Sequence, residues 1–373
     1  MVNFTEVISA SFEWTVTMLL RPFQVKKWII LGFCALLAGA LTSGSFNFNI
    51  PRFSGDSGQE EAYLPAPGGI AAFDGDDFVR EEEFEEVRRK IRGAFERARL
   101  KSYFPFMFIA LGVLGVGLYI LLTWVCCRFV FIFLQNVVTN DASIKGPWRR
   151  NKLPGNSFFL FNLIVMLTGL LAGGLLVWRC IVSLSALGVF EKGADAGFFA
   201  IAGAVIPYAL LLILIFLAAM FLWFMLIDFA VPVMFKSRVG VREGLAGAFG
   251  MLKRHTADIL VFMLIKTGLG LGAIIASGIV NLLALMGLIL PLGVLAVLAA
   301  GGTMALPGGI PDAALIFPAV LIGLPVLAAV NMFLICLQLP FAVFFRALSV
   351  NFLGQIEPGY NLYLYNPQEE VLL

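Results

Sequence analysis

The sequence predicts an all-α integral membrane protein. It has six transmembrane helices, seven being the alternative, with interfacial amphipathic helices and one charged extracytoplasmic helix. Three observations carry this expectation. The first is composition. Of 373 residues, 60% are hydrophobic, 13% are charged and 36 are Phe, with a mean hydropathy of +0.93. Soluble domains are about 45–50% apolar and about 25% charged, so a soluble enzyme, a disordered chain and a nucleic-acid binder are excluded. The second is the recurrence of apolar runs of about 20 residues, the length a helix needs to cross about 30 Å of hydrocarbon. The third is the placement of charge. Residues 52–101 hold 9 of the 26 basic and 12 of the 24 acidic side chains.

The elements follow in chain order. In residues 3–21, Phe4, Val7, Ile8, Ser11, Thr15, Met18 and Leu19 fall on one helical face. Asn3 and Glu6 have capping-box spacing, and Pro22 ends the helix. A one-sided helix with few charges lies in the membrane interface, so residues 1–27 read as a cytoplasmic interfacial helix. The first span is 28–45. Lys26 and Lys27 precede it, and the long segment before them makes it a retained anchor rather than a cleaved signal peptide.

Residues 46–103 form an extracytoplasmic loop. Glycines and prolines punctuate its first part, while 77–101 read as a helix with an apolar stripe of Phe84, Val87, Ile91, Phe95 and Ala98. Acids precede bases along it, which suits the helix dipole and allows Glu85–Arg89 and Glu86–Lys90 pairs. Two readings stand for this helix. It is a solvated surface helix, or a partner-docking surface through Glu85, Arg89, Arg97 and Arg99.

Residues 104–345 form a helical membrane domain with spans at 104–126, 157–178, 197–227, 258–281 and 314–342. A further apolar stretch, 282–300, begins after Asn281, contains Pro291 and runs into Gly301-Gly302. It reads as a re-entrant or interfacial element over 282–309, with a seventh span as the alternative. Residues 346–373 read as a cytoplasmic tail. Orientation follows from basic residues, which collect on the cytoplasmic side. Arg21, Lys26, Lys27, Arg128, Lys145, Arg149, Arg150, Lys152, Lys236, Arg238, Arg242, Lys253 and Arg254 lie on the side of the N-terminus, and six spans return Arg346 to it. The reading is therefore an integral protein of the cell (cytoplasmic) membrane, N-terminus inside and 46–103 outside.

The inner connections resemble each other. Residues 241–254 are amphipathic through Val241, Leu245, Phe249 and Leu252. Residues 142–152 are shorter, with Gly146-Pro147 interrupting and Trp148, Arg149 and Arg150 as interfacial anchors. Arg128-Phe129 and Asp228-Phe229, 100 residues apart, end equivalent spans. This weak internal repeat of span, surface helix and returning span occurs in transporters and in membrane scaffolds.

Few charges remain for chemistry. Lys266 lies about 12 Å into its span, and an ionisable residue at such depth is costly and points to function. Lys266, Asp228, Asn281 and Asn331 form a candidate intramembrane polar site. The plain alternatives are that Lys266 snorkels to the interface along its apolar stem and that Asp228 makes a structural pair with an Arg or Lys. Glycines at 112, 115 and 117, at 169, 173 and 174, and at 268, 270 and 272 suit close helix packing. Five scattered cysteines and one histidine point to no disulfide framework, metal or cofactor, and no catalytic motif is present, so the expectation is a protein that is not an enzyme.

Three motifs carry a family resemblance. They are Leu20-Arg-Pro-Phe23 with Lys27-Trp28, Asp228-Phe-Ala-Val-Pro-Val-Met234, and Phe344-Phe-Arg-Ala-Leu348. On these the chain resembles an uncharacterised group of prokaryotic multi-span proteins, similar to the membrane domain of some glycerophosphoryl diester phosphodiesterases. The motifs lie in the membrane part, so the resemblance implies architecture rather than hydrolysis. The expected function is a structural or scaffolding subunit of a membrane assembly. A transporter or channel for a small or lipid-like solute is the alternative. The expected partners are the lipid bilayer and proteins met through the 77–101 helix or the Phe-rich surface, with no nucleic acid.

Overall fold

The computed structural model describes residues 2–39, 104–189, 197–304 and 312–364. Among these there is helix and no strand. The helices are α1 (Phe4–Leu20), α2 (Val25–Leu37), α3 (Phe104–Thr139), α4 (Lys145–Arg150), α5 (Lys152–Ala186) and α6 (Phe198–Met225). A π-helical turn, Leu226–Ala230, then leads to α7 (Val231–Ser237), α8 (Val241–Arg254), α9 (Thr256–Met304) and α10 (Asp312–Ile356). Two 3₁₀ turns, Pro358–Tyr360 and Leu362–Leu364, follow. Five helical stretches are long and apolar enough to cross a membrane: Phe108–Thr139, Lys152–Ala186, Phe199–Ser237, Thr256–Gly287 and Ala328–Ile356. The helix 77–101 and its residues Glu85, Arg89, Arg97 and Arg99 lie outside the described residues, as do residues 40–45 of the expected 28–45 span. In the described part of that span the helix, α2, ends at Leu37, with Gly39 at a φ of 67°.

The chain divides into two units, residues 49–122 and the remainder. Of the first, residues 104–122 are described. They form the beginning of α3, where Ile109, Leu111, Val113 and Leu114 are all exposed.

In the larger unit, burial concentrates where α3 continues past its predicted span and around the π turn. Phe131, Ile132, Phe133 and Leu134 of α3 are fully buried, as are Met225, Ala230, Val231 and Met234 around the π turn. The helices overshoot the predicted spans because these added turns have apolar partners to pack against. The α1 face is buried through Val7, Ser11, Thr15, Met18 and Leu19. Asn3 caps its start by accepting from the Glu6 backbone N–H at 3.4 Å. This face meets α10, where Asn351 Nδ2 donates to Ser11 Oγ at 2.8 Å and Phe4 stacks on Phe352 at 5.9 Å. α2 also packs on α10. A Cβ on Gly32 would stand 3.3 Å from Ile335 Cγ2.

α8 is one-sided, with Val241, Gly244, Ala248 and Met251 buried. Gly244 is required there, since an added Cβ would lie 2.3 Å from Met234 Cγ and 3.2 Å from the Ala230 carbonyl oxygen. Its start rests on α5 through a bond from the Val241 N–H to Ser157 Oγ at 2.9 Å.

Three sequence expectations change. The stretch 282–304 is not a separate broken element, because α9 runs unbroken through Asn281 and Pro291. A proline removes one backbone bond, and in an apolar helix no water competes for the rest. Gly146-Pro147 does not interrupt the inner connection either. Pro147 sits in the first turn of α4, where its missing N–H has no helical partner to lose. The tail does not begin at Arg346, since α10 continues to Ile356 with Val350, Phe352 and Leu353 buried.

Candidate functional site

The π turn places Asp228 where a continuous α-helix would not. Val231 N–H donates to the Leu226 carbonyl five residues back, which widens the backbone by one residue. Such single-turn bulges occur often at functional sites. Asp228 is 3% exposed and accepts from Lys266 Nζ of α9 at 2.5 Å. Ser349 of α10 joins them. Its Oγ donates to Asp228 Oδ1 at 2.8 Å and accepts from Lys266 Nζ at 3.1 Å. Three helical segments thus meet at one carboxylate. Lys266 does not snorkel, because its ammonium finds an acid on a neighbouring segment.

A second cation shares the site. Arg346 of α10 is buried, and its Nη1 donates to the Ile227 carbonyl at 3.0 Å. The π turn accounts for this bond, since widening the helix releases carbonyls from the i→i+4 ladder and Arg346 satisfies one of them. The local charge is then two cations against one carboxylate. Aromatic faces help to hold the excess. Lys266 Nζ lies 5.9 Å from the Phe224 ring centroid and 6.0 Å from that of Phe262, at the edge of cation–π range.

Phenylalanines enclose the network. Phe262 and Phe352 stack at 4.0 Å with their planes 5° apart. Phe229 meets Phe262 at 6.2 Å and Phe352 at 6.1 Å, in both cases edge to face. This casing excludes water and strengthens the Asp228–Lys266 attraction. It also means that either partner left alone would be a buried, uncompensated charge.

Of the four polar residues expected to form a site, the structure brings Lys266 and Asp228 together. Asn281 is elsewhere on α9, half-buried, with an Oδ1 that lacks a hydrogen-bond partner among the described residues. Asn331 is exposed on α10. Ser349 and Arg346 are the members that sequence reading left out of the site. Arg346 belongs to the Phe-Phe-Arg-Ala-Leu motif and Ser349 follows it directly, so the signal was adjacent. What it did not give was the partner. Arg128, read only as a span end, is a third buried cation, held by Trp124 and Trp148 at 4.3 and 4.8 Å from its guanidinium carbon.

Two surface depressions lie away from Lys266. One, about 370 Å³, is lined by Asn3, Glu6, His255, Asp258 and Gln355, among others. The second, about 170 Å³, adjoins Glu6, Asn351 and Asn361. Among the described residues no cluster of three or more His, Cys, Asp or Glu could hold a metal ion.

These features define a class, an all-helical protein of membrane type whose inner charges meet in a phenylalanine-lined ion-pair network. Residues 3–363 match the family of unknown function DUF7544, and the chain belongs to it. No curated protein and no solved structure matches it.

Proposed function

We propose that this protein is a non-catalytic polytopic membrane protein that scaffolds a larger membrane assembly. It would sit in the cell membrane with its N-terminus inside, on six spans. The observation that carries this reading is a contrast within the helices. The Asp228–Lys266–Ser349 group is closed on itself and packed. Along the apolar stretches the faces suited to helix contact are open. Among the described residues, a Cβ added at Gly112, Gly115 or Gly117, at Gly169, Gly173 or Gly174, or at Gly268 or Gly272 would meet nothing within 4 Å. Small residues serve close approach of helices in lipid, so open glycine faces suit partner helices. The order span, inner helix, returning span in α3–α4–α5 and again in α6–α8–α9 supports an internal repeat. The likeness to phosphodiesterase membrane domains would place the family among such anchoring modules.

The test is extraction of the full chain in a gentle detergent, with crosslinking before solubilisation. A defined complex or oligomer is expected. A monodisperse monomer with no crosslinked partner would overturn the scaffold reading.

The second reading, a transporter or channel for a small or lipid-like solute, is favoured by the π turn at Asp228 facing Lys266. Under it, Lys266→Met abolishes solute flux in reconstituted vesicles while the protein still assembles. Unchanged flux would remove it.

A further inference from the structure

Arg128 presents a different problem from Lys266. It is 7% exposed, yet among the described residues it makes no ion pair. Its guanidinium lies against the faces of Trp124 of α3 and Trp148 of α4, whose rings meet edge to face at 5.7 Å. Its Nε and Nη2 donate to Asn156 Oδ1 of α5 at 3.2 and 2.8 Å. The same oxygen accepts from Trp124 Nε1 at 3.1 Å. Gly155 fixes the approach, because an added Cβ would stand 2.9 Å from Arg128 Cγ.

A guanidinium has five N–H donors in a planar fork. Two are used by Asn156, which is neutral, and the stacked indoles neutralise no charge. Arg128 Nη1 makes no hydrogen bond among the described residues and is not among the sealed polar atoms that lack a partner, so this nitrogen keeps contact with the surface. The surroundings add positive charge, with Lys145, Arg149, Arg150 and Lys152 on the same connection. Trp124 and Arg128 also mark the point where the side chains of α3 pass from exposed, through Leu122, to buried, from Cys127 onward, and tryptophans are enriched at the lipid headgroup level. From Asn156 along the same face of α5 run Leu160 and Ile164, 57% and 55% exposed, which is a track for an acyl chain.

We propose that Arg128, clamped by Trp124, Trp148 and Asn156, binds the phosphate of an anionic membrane lipid, with its acyl chain along Leu160 and Ile164. The aromatic clamp orders the fork before the ligand arrives, and the lipid phosphate supplies the counter-charge that the protein lacks there. Basic pockets between helices on the cytoplasmic side bind anionic headgroups in this way. The proposal rests on membrane insertion and not on the scaffold reading.

The experiment uses native mass spectrometry and thermal melting of the detergent-purified full chain. Phosphatidylglycerol, phosphatidylcholine and inorganic phosphate are added separately. Wild type should retain one phosphatidylglycerol per chain with about tenfold preference over phosphatidylcholine, the scale of a charge-assisted bond. Arg128→Gln should bring that preference to near unity. Asn156→Asp is the decisive variant, since it places a carboxylate on the guanidinium without changing shape. It should also lose the preference while melting no lower than wild type, and it serves where Arg128→Gln does not fold. Wild type without preference, or Asn156→Asp retaining it, would overturn the proposal. Inorganic phosphate stabilising the protein as much as phosphatidylglycerol does would overturn the lipid assignment and leave a free-anion site.

Discussion

Lys266 and Arg128 both sit on long apolar helices, both are buried, and each is surrounded by aromatic rings. Lys266 is answered from within. Asp228 and Ser349 come to it from two other segments, and phenylalanines close over the group. Among the described residues, Arg128 is answered only by an amide oxygen and two indole faces. The difference is one of charge balance. A cation paired inside the chain ties helices together and needs nothing further. A cation that is held but not neutralised keeps capacity for a ligand. Tryptophan, with an N–H that bonds at the wet edge, lines the open site, whereas phenylalanine, with no polar atom, lines the closed one.

The strongest way to break this contrast is to open the closed site. Asp228→Ala leaves Lys266 and Arg346 buried without their acid, which should cost about 3–5 kcal/mol. Thermal unfolding of the detergent-solubilised protein should show a large fall, and Lys266→Met in the same chain should recover part of it. Additive losses in the double variant would mean that the two do not act as a pair.

A milder change acts on the open site. Gly155→Val forces a branched side chain against Arg128 Cγ, and overpacking of this kind costs about 1–3 kcal/mol. The clamp should loosen, which tryptophan fluorescence would register as a red shift. An unshifted spectrum would separate Gly155 from the clamp.

The next change tests a neutral group. The Tyr363 hydroxyl is buried without a partner among the described residues, and its ring packs on Trp14 at 4.6 Å. Tyr363→Phe removes the orphan hydroxyl and should stabilise by about 1 kcal/mol. Burial also raises the Tyr363 pKa above its ordinary value of 10.0. The unfolded chain therefore loses this proton first, and stability falls as pH rises above about 10. Tyr363→Phe should flatten that fall, read from melting temperature against pH. A fall of the same steepness in both proteins would remove Tyr363 as its source.

The smallest effect belongs to the open apolar faces. Among the described residues Gly173→Ala meets nothing within 4 Å, so monomer stability should change by no more than about 0.5 kcal/mol. A change in crosslinked species at unchanged monomer stability would sharpen the scaffold reading. Loss of monomer stability would show that Gly173 packs within the chain.

Much of the helix framework was legible because the signals are local. The face of α1 from Val7 to Leu19 follows from helical spacing, and Asn3 and Pro22 bound it as their chemistry requires. The apolar runs predicted five of the helices now seen to be long enough to cross a membrane. The misreadings at Pro147, Pro291 and Arg346 share a cause. Each took a residue's commonest role for its role here. Pro147 falls in a first turn, where it breaks nothing, and Pro291 lies in an apolar helix where no water competes for the backbone. Arg346 is buried against the π turn instead of marking a membrane boundary. The candidate site was half legible. Depth in an apolar run marked Lys266 as unusual, and Asp228 stood at a span end, but Arg346 was read as a topological marker and Ser349 as nothing.

By itself, then, the sequence determined the class of protein, the buried face of α1, and that Lys266 lies too deep to be casual. Those properties depend on composition and spacing over short stretches. On α8 the buried face is Val241, Gly244, Ala248 and Met251, with Phe249 exposed. Only the tertiary structure decided that Lys266 and Asp228 meet through a π turn, that Asn281 and Asn331 stand apart from them, and that Arg128 is clamped but left unpaired. Pairing joins residues from 28 to 121 positions apart, and no local pattern encodes which distant side chain fills a given vacancy. That choice is made by packing, where the cost of an unmatched buried charge rejects every arrangement but a few.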